Sequence, residues 1–400
     1  EKNEHDIVNL LLTQPRIVIY SDTFKELKII RDINIQAPMT VIEGWSFYGC
    51  LSLTHILLPP SIMFIGEFAF FGCKSLSVLS IPPTLQSIGD FAFAGCSSLK
   101  KIVISDDESS LTSLGNSSFK CCSSLEEITI PFLVSKIGRN CFEGCTKLKR
   151  VELPPLIDEI GFNLFKGCSS LTDLTIPQNI TKICSFSFEG CTSLKTLMIP
   201  TSVKEIGSYS FNNCTSLTEI TIPTSVTSMG ESVFSRCSSL TKFVIPSSIT
   251  RIENCTFKGC SSLNDVIIPP SVKYIGNDVF NGCNSLTDIS VPDSVIKIGT
   301  KSFGFTSPMT EIKLQPTTAS ENPFSQSIDV KYINNNQFKK YHHYDDESLF
   351  SDDSDDRDEE EESLFSDESD YDYDDEFVDH GSFSYIRAII NKGTKEKLVA

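Results

Sequence analysis

Histidine, tryptophan and the common catalytic motifs are scarce or absent in this chain of 400 residues. The sequence contains five His and one Trp, and four of the five His lie near the N-terminus or beyond residue 340. The motifs H-E-x-x-H, G-x-S-x-G, G-x-x-x-x-G-K and G-x-G-x-x-G do not occur. Serine and threonine are abundant, but no general base is placed beside them at a regular spacing. We therefore expect no enzymatic activity, no catalytic residue and no cofactor.

Long apolar segments are also absent. No window of 18 consecutive residues is apolar throughout, so the sequence predicts no membrane-spanning helix. The apolar run at residues 7–12 is short and follows acidic residues, whereas a signal peptide has a positively charged flank. Residue 1 is Glu rather than Met, so the natural N-terminus can lie upstream. Cell-surface and cytoplasmic locations therefore both stay open.

The net charge of −18 is concentrated in one segment. Residues 341–380 contain 20 acidic residues and one basic residue, which leaves a net charge of +1 on the other 360 residues. A protein that is acidic throughout is therefore excluded. The sequence predicts a nearly neutral folded body with one acidic tail. Like charges at this density repel each other and the tail cannot bury a core, so we expect it to be disordered when free.

A regular repeat of cysteine and phenylalanine dominates the chain. Eleven of the 15 Cys are spaced by 23 residues, apart from one gap of 26, and a Phe lies three residues before each of them. The Phe series continues to Phe303, where Thr306 takes the place of Cys. Such self-similarity indicates a repeat protein. The ladder residues are Cys50, Cys73, Cys96, Cys122, Cys145, Cys168, Cys191, Cys214, Cys237, Cys260 and Cys283.

Each repeat contains the spacing L-x-x-I-x-I, which is typical of a leucine-rich-repeat strand, and 23 residues lies within the length range of that class. In I-x-I the alternation has a period of two, so both apolar side chains face the same side. The following Pro is expected to end the strand. The later Ile-Gly pair predicts a second extended piece, whose Gly permits a turn with positive φ. Short turns or 3₁₀ pieces are expected on the outer face.

The full pattern L-x-x-I-x-I-P-x-S-V-x-x-I-G-x-x-x-F-x-G-C-x-S-L resembles the repeat of the BspA-type (Treponema pallidum-like) leucine-rich-repeat family, which includes bacterial surface antigens. The resemblance covers residues 41–314. It implies a leucine-rich-repeat solenoid, a β-rich right-handed coil or horseshoe of about twelve 23-residue repeats. It also implies a non-catalytic, partner-binding protein at a cell surface. Cys184 and Glu253 depart from the pattern at the turn Gly, as Ser105 does at the Pro.

The charge distribution and the repeat together predict the organisation of the chain. A solenoid needs covered ends, which accounts for the segments on either side of it. We expect an N-terminal flank or cap at residues 1–40, the solenoid at 41–314, a C-terminal cap or linker at 315–340, the acidic disordered tail at 341–380 and a short C-terminal segment at 381–400.

The cysteine column has three interpretations: buried thiols, disulfides between neighbouring repeats, or a metal site. Identical side chains in register point along parallel vectors, which favours stacked thiols over disulfide bonds. No C-x-x-C pair occurs, and the close His partners that zinc would need are missing, so we expect no metal site. Cys121, Cys141, Cys184 and Cys255 lie outside the ladder and are expected to be the more reactive thiols.

Alternate strand positions are expected to face solvent, on the surface where partners of leucine-rich-repeat proteins dock. One column is rich in Thr with apolar members, and its neighbour carries charges of alternating sign at Lys101, Glu127, Arg150 and Asp173. Opposite charges on adjacent strands contribute roughly 0.2–1 kcal/mol per pair, so a self-stabilising ladder and a binding face are both open. The last three of the following candidates are expected to attract cations. The candidate partner-binding residues are Glu152, Thr175, Met198, Thr221, Val244, Ile267, Asp265, Asp288 and Glu311.

The acidic tail also has two interpretations. It either solubilises the protein, or its Leu-Phe and Tyr residues dock while its acids steer a basic partner. Two functions therefore stay open. The solenoid face binds a protein or glycan partner in surface adhesion, or an intracellular scaffold or regulator uses its acidic tail to bind basic proteins. Neither function predicts nucleic-acid binding.

Overall fold

Two series of short parallel strands, joined by tight turns, make up the repeating part of the chain. The computed structural model describes Ile19, residues 21–104 and residues 108–304, together with the backbone of strands at 8–12, 311–314, 329–332 and 339–340. The predicted acidic tail with its disorder and the predicted segment at 381–400 lie outside the described residues. No helix occurs in the described ranges.

The first series of strands carries the I-x-I motif, and the second carries the residue pair that ends in Ile, Leu or Met. The first series comprises β1 (Val8–Leu12), β2 (Ile30–Ile35), β4 (His55–Leu57), β6 (Val78–Ile81), β8 (Lys101–Ile104), β10 (Glu127–Thr129), β12 (Arg150–Glu152), β14 (Asp173–Thr175), β16 (Thr196–Met198), β18 (Glu219–Thr221), β20 (Lys242–Val244), β22 (Asp265–Ile267), β24 (Asp288–Ser290) and β26 (Glu311–Leu314). The second series comprises β3 (Val41–Ile42), β5 (Phe64–Ile65), β7 (Ser87–Ile88), β9 (Ser113–Leu114), β11 (Lys136–Ile137), β13 (Glu159–Ile160), β15 (Lys182–Ile183), β17 (Glu205–Ile206), β19 (Ser228–Met229), β21 (Arg251–Ile252), β23 (Tyr274–Ile275) and β25 (Lys297–Ile298). They are followed by β27 (Asp329–Tyr332) and β28 (Lys339–Lys340).

Strand pairing follows the 23-residue period. Within each series, neighbouring strands are parallel and equivalent residues of successive repeats are partners, as in Thr196 with Glu219 and Met198 with Thr221. The insertion shifts the offset to 26 residues without breaking the register, so that Glu127 pairs with Lys101. The turn after each I-x-I strand begins at the Pro, whose carbonyl accepts the amide three residues on, as in Val226 N to Pro223 O at 3.0 Å. The predicted leucine-rich-repeat solenoid is therefore confirmed.

A column of stacked phenylalanine rings runs through the core. From Phe24 to Phe303, successive ladder rings lie 4.9–5.9 Å apart and within 18° of parallel. All rings from Phe47 onward are at most 1% exposed. Burial of each ring stabilises the fold by on the order of 1.5–3 kcal/mol, and offset stacking adds to this. Phe24 lies before residue 41, so the described part of the N-terminal flank already follows the repeat.

The cysteine ladder joins each repeat to the one before it. All eleven ladder thiols are buried and unoxidised. Each Sγ donates to the carbonyl oxygen of the Phe 26 or 29 residues earlier, at 3.0–3.3 Å. A buried carbonyl thus receives a donor in every repeat, which satisfies a group that would otherwise cost free energy. This bond explains why Cys recurs and confirms the prediction of buried thiols.

The glycine of the Ile-Gly pair has a different role from the one expected. It does not adopt positive φ; the positive-φ glycines belong to the Phe-x-Gly-Cys turn, as in Gly72 at φ 69°. A Cβ on Gly89 would lie 2.7 Å from the backbone nitrogen of Glu67, so Gly is required here by close approach of two repeats. The expectation of a positive-φ turn at Ile-Gly was wrong because the sequence pattern alone cannot separate these two reasons for Gly.

The outer turns contain a second left-handed position that no glycine marks. One residue in each repeat has φ between 53° and 61°. Left-handed backbone costs a non-glycine residue roughly 1–2 kcal/mol, so this turn is held by the packing of the repeats around it. The column comprises Trp45, Phe68, Phe91, Ser117, Asn140, Asn163, Phe186, Tyr209, Ser232, Cys255, Asp278 and Lys301.

Candidate partner-binding face

The first strand series presents one exposed surface, which we call the sheet face. Each three-residue strand has an exposed–buried–exposed pattern, because its central apolar residue points into the core. The exposed ends of successive strands therefore form two columns in register. Glu152 pairs with Thr175, Met198 with Thr221, and Val244 with Ile267.

Four of the predicted residues form a continuous row of apolar and threonine side chains, the apolar stripe: Met198, Thr221, Val244 and Ile267. Met198 is 81% exposed, Val244 is 59% exposed and Ile267 is 54% exposed. These three side chains leave much apolar surface in water although the chain has a filled core directly beneath them. Covering them would release that surface from water at about 25 cal/mol per Å².

The predicted charge ladder forms in the first half of the sheet face. Arg150 lies between Glu127 and Asp173 in register, and its guanidinium contacts Glu152 at 2.6 Å and Asp173 at 3.6 Å. In the next column, Lys149 Nζ lies 3.0 Å from Glu126 Oε2, and this hydrogen bond lowers the pKa of Glu126. All of these groups are exposed, so each pair contributes little to stability. Glu152 is therefore engaged within the protein, whereas Thr175 is exposed beside it.

The acidic end of the charged column is partly compensated. Lys242 Nζ lies 3.6 Å from Asp265 Oδ2, so one of the three acids has a cationic partner on the adjacent strand. Asp288 is exposed and pairs in register with Glu311, whose side chain lies outside the described residues. Within the described ranges, no cluster of three or more His, Cys, Asp or Glu side chains could hold a metal ion. The cation-attracting patch stays a prediction for Asp288 and Glu311.

A second apolar surface, which sequence reasoning missed, lies at the turn after the strand-ending Pro. Phe132 is 56% exposed, Leu133 is 38% exposed and Leu156 is 51% exposed; we call these three residues the edge patch. In other repeats, a Ser at the position of Leu133 donates to the preceding repeat, as Ser225 Oγ does to Val203 O at 2.8 Å. The signal was present in the sequence, because Leu replaces Ser in two consecutive repeats.

The edge patch borders a shallow depression of about 320 Å³. Its lining includes Glu152 and Thr175, two of the predicted residues, together with Arg150, Asp173, Pro155 and Pro177. The charged groups here already contact each other, so the depression offers no group poised for chemistry. It joins the edge patch to the sheet face.

The four cysteines outside the ladder differ in accessibility. Cys121 is exposed and Cys255 is half-buried, whereas Cys141 and Cys184 are buried. Burial raises the pKa of Cys141 and of Cys184 to about 12, so both thiols stay protonated and unreactive at neutral pH. The expectation of reactive thiols was therefore wrong for these two, because the core accommodates more than one Cys per repeat.

Strand series of constant 23-residue period, with one Leu, one Phe and two strand Ile or Val positions per turn in a common core, define a leucine-rich-repeat protein. The chain belongs to the BspA-type family. The family model described as a BspA type leucine rich repeat region (6 copies) matches residues 17–149, 112–241 and 227–348. Proteins of this fold generally bind other proteins and are typically non-catalytic.

Two solved structures show the same fold. The chain is similar to a leucine-rich repeat protein from Bacteroides ovatus, with 29% identity and a TM-score of 0.64 over 76% of this chain and 92% of that one. It is also similar to the pneumococcal vaccine antigen PcpA, with 20% identity and a TM-score of 0.52 over 83% and 85% of the two chains. No curated protein matches the chain significantly. In the described part of the chain, no helix has the length and apolar character needed to cross a membrane.

Proposed function

We propose that this protein is a non-catalytic adhesion protein whose sheet face binds a protein partner at a cell surface. The exposed apolar stripe is the observation that carries the proposal. Three large apolar side chains lie on rigid, paired strands rather than on loops, so little conformational entropy is lost when a partner covers them. The resemblance to BspA-type surface antigens supports the cellular setting.

The test compares adhesion of the full chain with that of a stripe variant. Met198→Glu, Val244→Glu and Ile267→Glu place three charges on the stripe, and the double variant Leu57→Glu and Val103→Glu alters two exposed apolar residues elsewhere on the same strand series. We expect the stripe variant to bind wells coated with basement-membrane extract at least about 10-fold more weakly, and the control variant to bind like wild type. Equal binding by all three proteins would contradict the proposal.

Two treatments of the coated wells separate a protein partner from a glycan partner. Protease digestion of the coat should abolish binding, whereas periodate oxidation of its sugars should leave binding intact. The opposite result would assign the sheet face to a glycan. Urea unfolding of each variant should give midpoints close to wild type, because the substituted side chains are exposed.

A second function, an intracellular scaffold or regulator, is favoured by the 20 acidic residues at 341–380. In that case the tail binds a basic protein, and the interaction weakens as salt screens the charges. Removing residues 341–380 should then abolish binding to a basic probe such as polylysine. Antibody staining of intact and permeabilised cells separates the two functions, because surface adhesion requires staining without permeabilisation.

A further inference from the structure

We infer that the apolar stripe accepts an amphipathic α-helix of the partner, lying across the strands, rather than an extended segment. The inference rests on the proposed binding function of the sheet face and specifies which element of the partner is bound. It depends on the spacing of the stripe, on the charges on either side of it and on the exposure of its side chains.

The spacing of the stripe is set by the strands. Parallel strands lie about 4.8 Å apart, so Met198, Thr221, Val244 and Ile267 present one side chain every 4.8 Å over about 14 Å. All four side chains project from equivalent positions of consecutive repeats. A ligand that fills the stripe must therefore offer apolar side chains at nearly the same interval.

A helix meets this requirement and an extended chain does not. Side chains on one helix face recur every 5.4 Å on average, and residues three apart are separated by about 4.5 Å along the axis. A tilt of roughly 27° shortens the projected pitch to 4.8 Å, the strand spacing. In an extended chain, side chains on one face recur about every 6.7 Å, so the mismatch reaches about 6 Å over three steps.

The two sides of the stripe differ in charge. On one side lies the column Thr196, Glu219, Lys242 and Asp265, followed by Asp288. Lys242 and Asp265 compensate each other, which leaves two uncompensated carboxylates on this side. The other side presents the turn residues Thr201, Thr224, Ser247 and Pro270, which carry no charge. The helix should therefore carry Lys or Arg along one edge of its apolar face and neutral residues along the other.

The same charges disfavour the acidic tail of this chain as the occupant. Its two Leu-Phe pairs, within residues 347–352 and 362–367, are flanked by acidic residues. Such a segment would bring like charges next to Glu219 and Asp288. A basic helix of a partner protein gains attraction at the same positions.

The experiment uses three labelled peptides of about 18 residues and the full chain. The first has apolar residues at helical spacing with Lys along one edge. The second has the same composition with alternating apolar residues, as in a strand. The third is the first with Glu in place of Lys. Binding is measured by fluorescence anisotropy, and circular dichroism follows the helical signal of each peptide on binding.

The helical basic peptide should bind at least about 10-fold more tightly than either of the others and gain helical signal on binding. The double variant Met198→Asp and Val244→Asp should weaken its binding at least about 10-fold, whereas Leu57→Asp with Val103→Asp should not. Preference for the strand-patterned peptide, or stripe-independent binding of all peptides, would overturn the inference. The proposed function would still stand if the stripe variant had lost adhesion to the coated wells, and it would fail with the inference if adhesion were unaffected.

Discussion

Replacing Phe211 with Ala tests the stacked core that positions the sheet face. Phe211 is fully buried, and its ring lies 5.2 Å from that of Phe188 and 5.5 Å from that of Phe234, each within 8° of parallel. The substitution removes the ring from both contacts at once. Phe-to-Ala changes in a core cost about 3–5 kcal/mol, because buried surface is lost and the cavity is only partly refilled.

The size of this loss is large relative to the stability of a typical protein, about 5–15 kcal/mol. In a solenoid each repeat contacts only its neighbours, so the damage should be concentrated in the repeats on either side of Phe211. Hydrogen exchange resolved by repeat is therefore a better assay than a single unfolding midpoint. Slowly exchanging amides near Phe188 and Phe234 should exchange at least about 100-fold faster, following from tenfold per 1.4 kcal/mol.

Phe132→Ala is the matched control, because Phe132 is exposed and lies outside the ladder. Its effect on exchange should be small, within what about 0.5 kcal/mol produces for surface substitutions. If Phe211→Ala and Phe132→Ala had similar effects, the stacked rings would not be a main source of stability and the reasoning would be refuted.

Three further predictions concern the thiols, the glycines and the tail. Burial raises the pKa of Cys96 and Cys214 to about 12, above the model value of 9.0, so stability should be constant below about pH 8.5 and fall as pH rises from 9 towards 12; a flat urea midpoint up to pH 10.5 would contradict this. Gly89→Ala should destabilise by more than about 2 kcal/mol because of the backbone clash, whereas Gly72→Ala, with nothing within 4 Å, should cost about 1 kcal/mol; equal costs would refute the distinction. Removing residues 341–380 should leave the melting temperature of the remaining chain unchanged, and a large decrease in calorimetry would show that the tail packs on it.

The fold could be predicted from the sequence because the 23-residue period fixes both the identity and the register of the core residues. Every repeat places Leu, Ile, Phe and Cys at the same offsets, and shifting one strand by one residue would expose its buried positions. The insertion before Ser110 did not disturb this, since the Phe and Cys after it keep their spacing. Exposed and buried strand positions followed from the same period.

Local backbone geometry could not be predicted with the same success. Residue type marks positive φ at Gly72 but not at Trp45 or Lys301, where packing imposes the left-handed conformation. Gly89 looks like a turn residue in the sequence, yet its role is to permit close approach of the chain from the preceding repeat. Both cases depend on contacts between repeats that are distant in sequence.

The candidate site was predictable in position but not in its balance of charges. The exposed columns of the sheet face followed from strand alternation, including Met198 and Ile267. The partner of Asp265 is Lys242, one strand away, and their ion pair weakens the expected acidic run. The edge patch was missed because Leu133 and Leu156 occupy a turn position that sequence reasoning did not compare between repeats.

Oxidative footprinting of Met198 tests the central claim, that the apolar stripe is the partner-binding site, most directly. Met198 is 81% exposed, whereas Met229, only 6% exposed, serves as a buried internal reference. If the claim is correct, binding to the partner coat should slow oxidation of Met198 several-fold without changing Met229. An unchanged rate at Met198 while the protein is bound would contradict the claim and place the partner elsewhere.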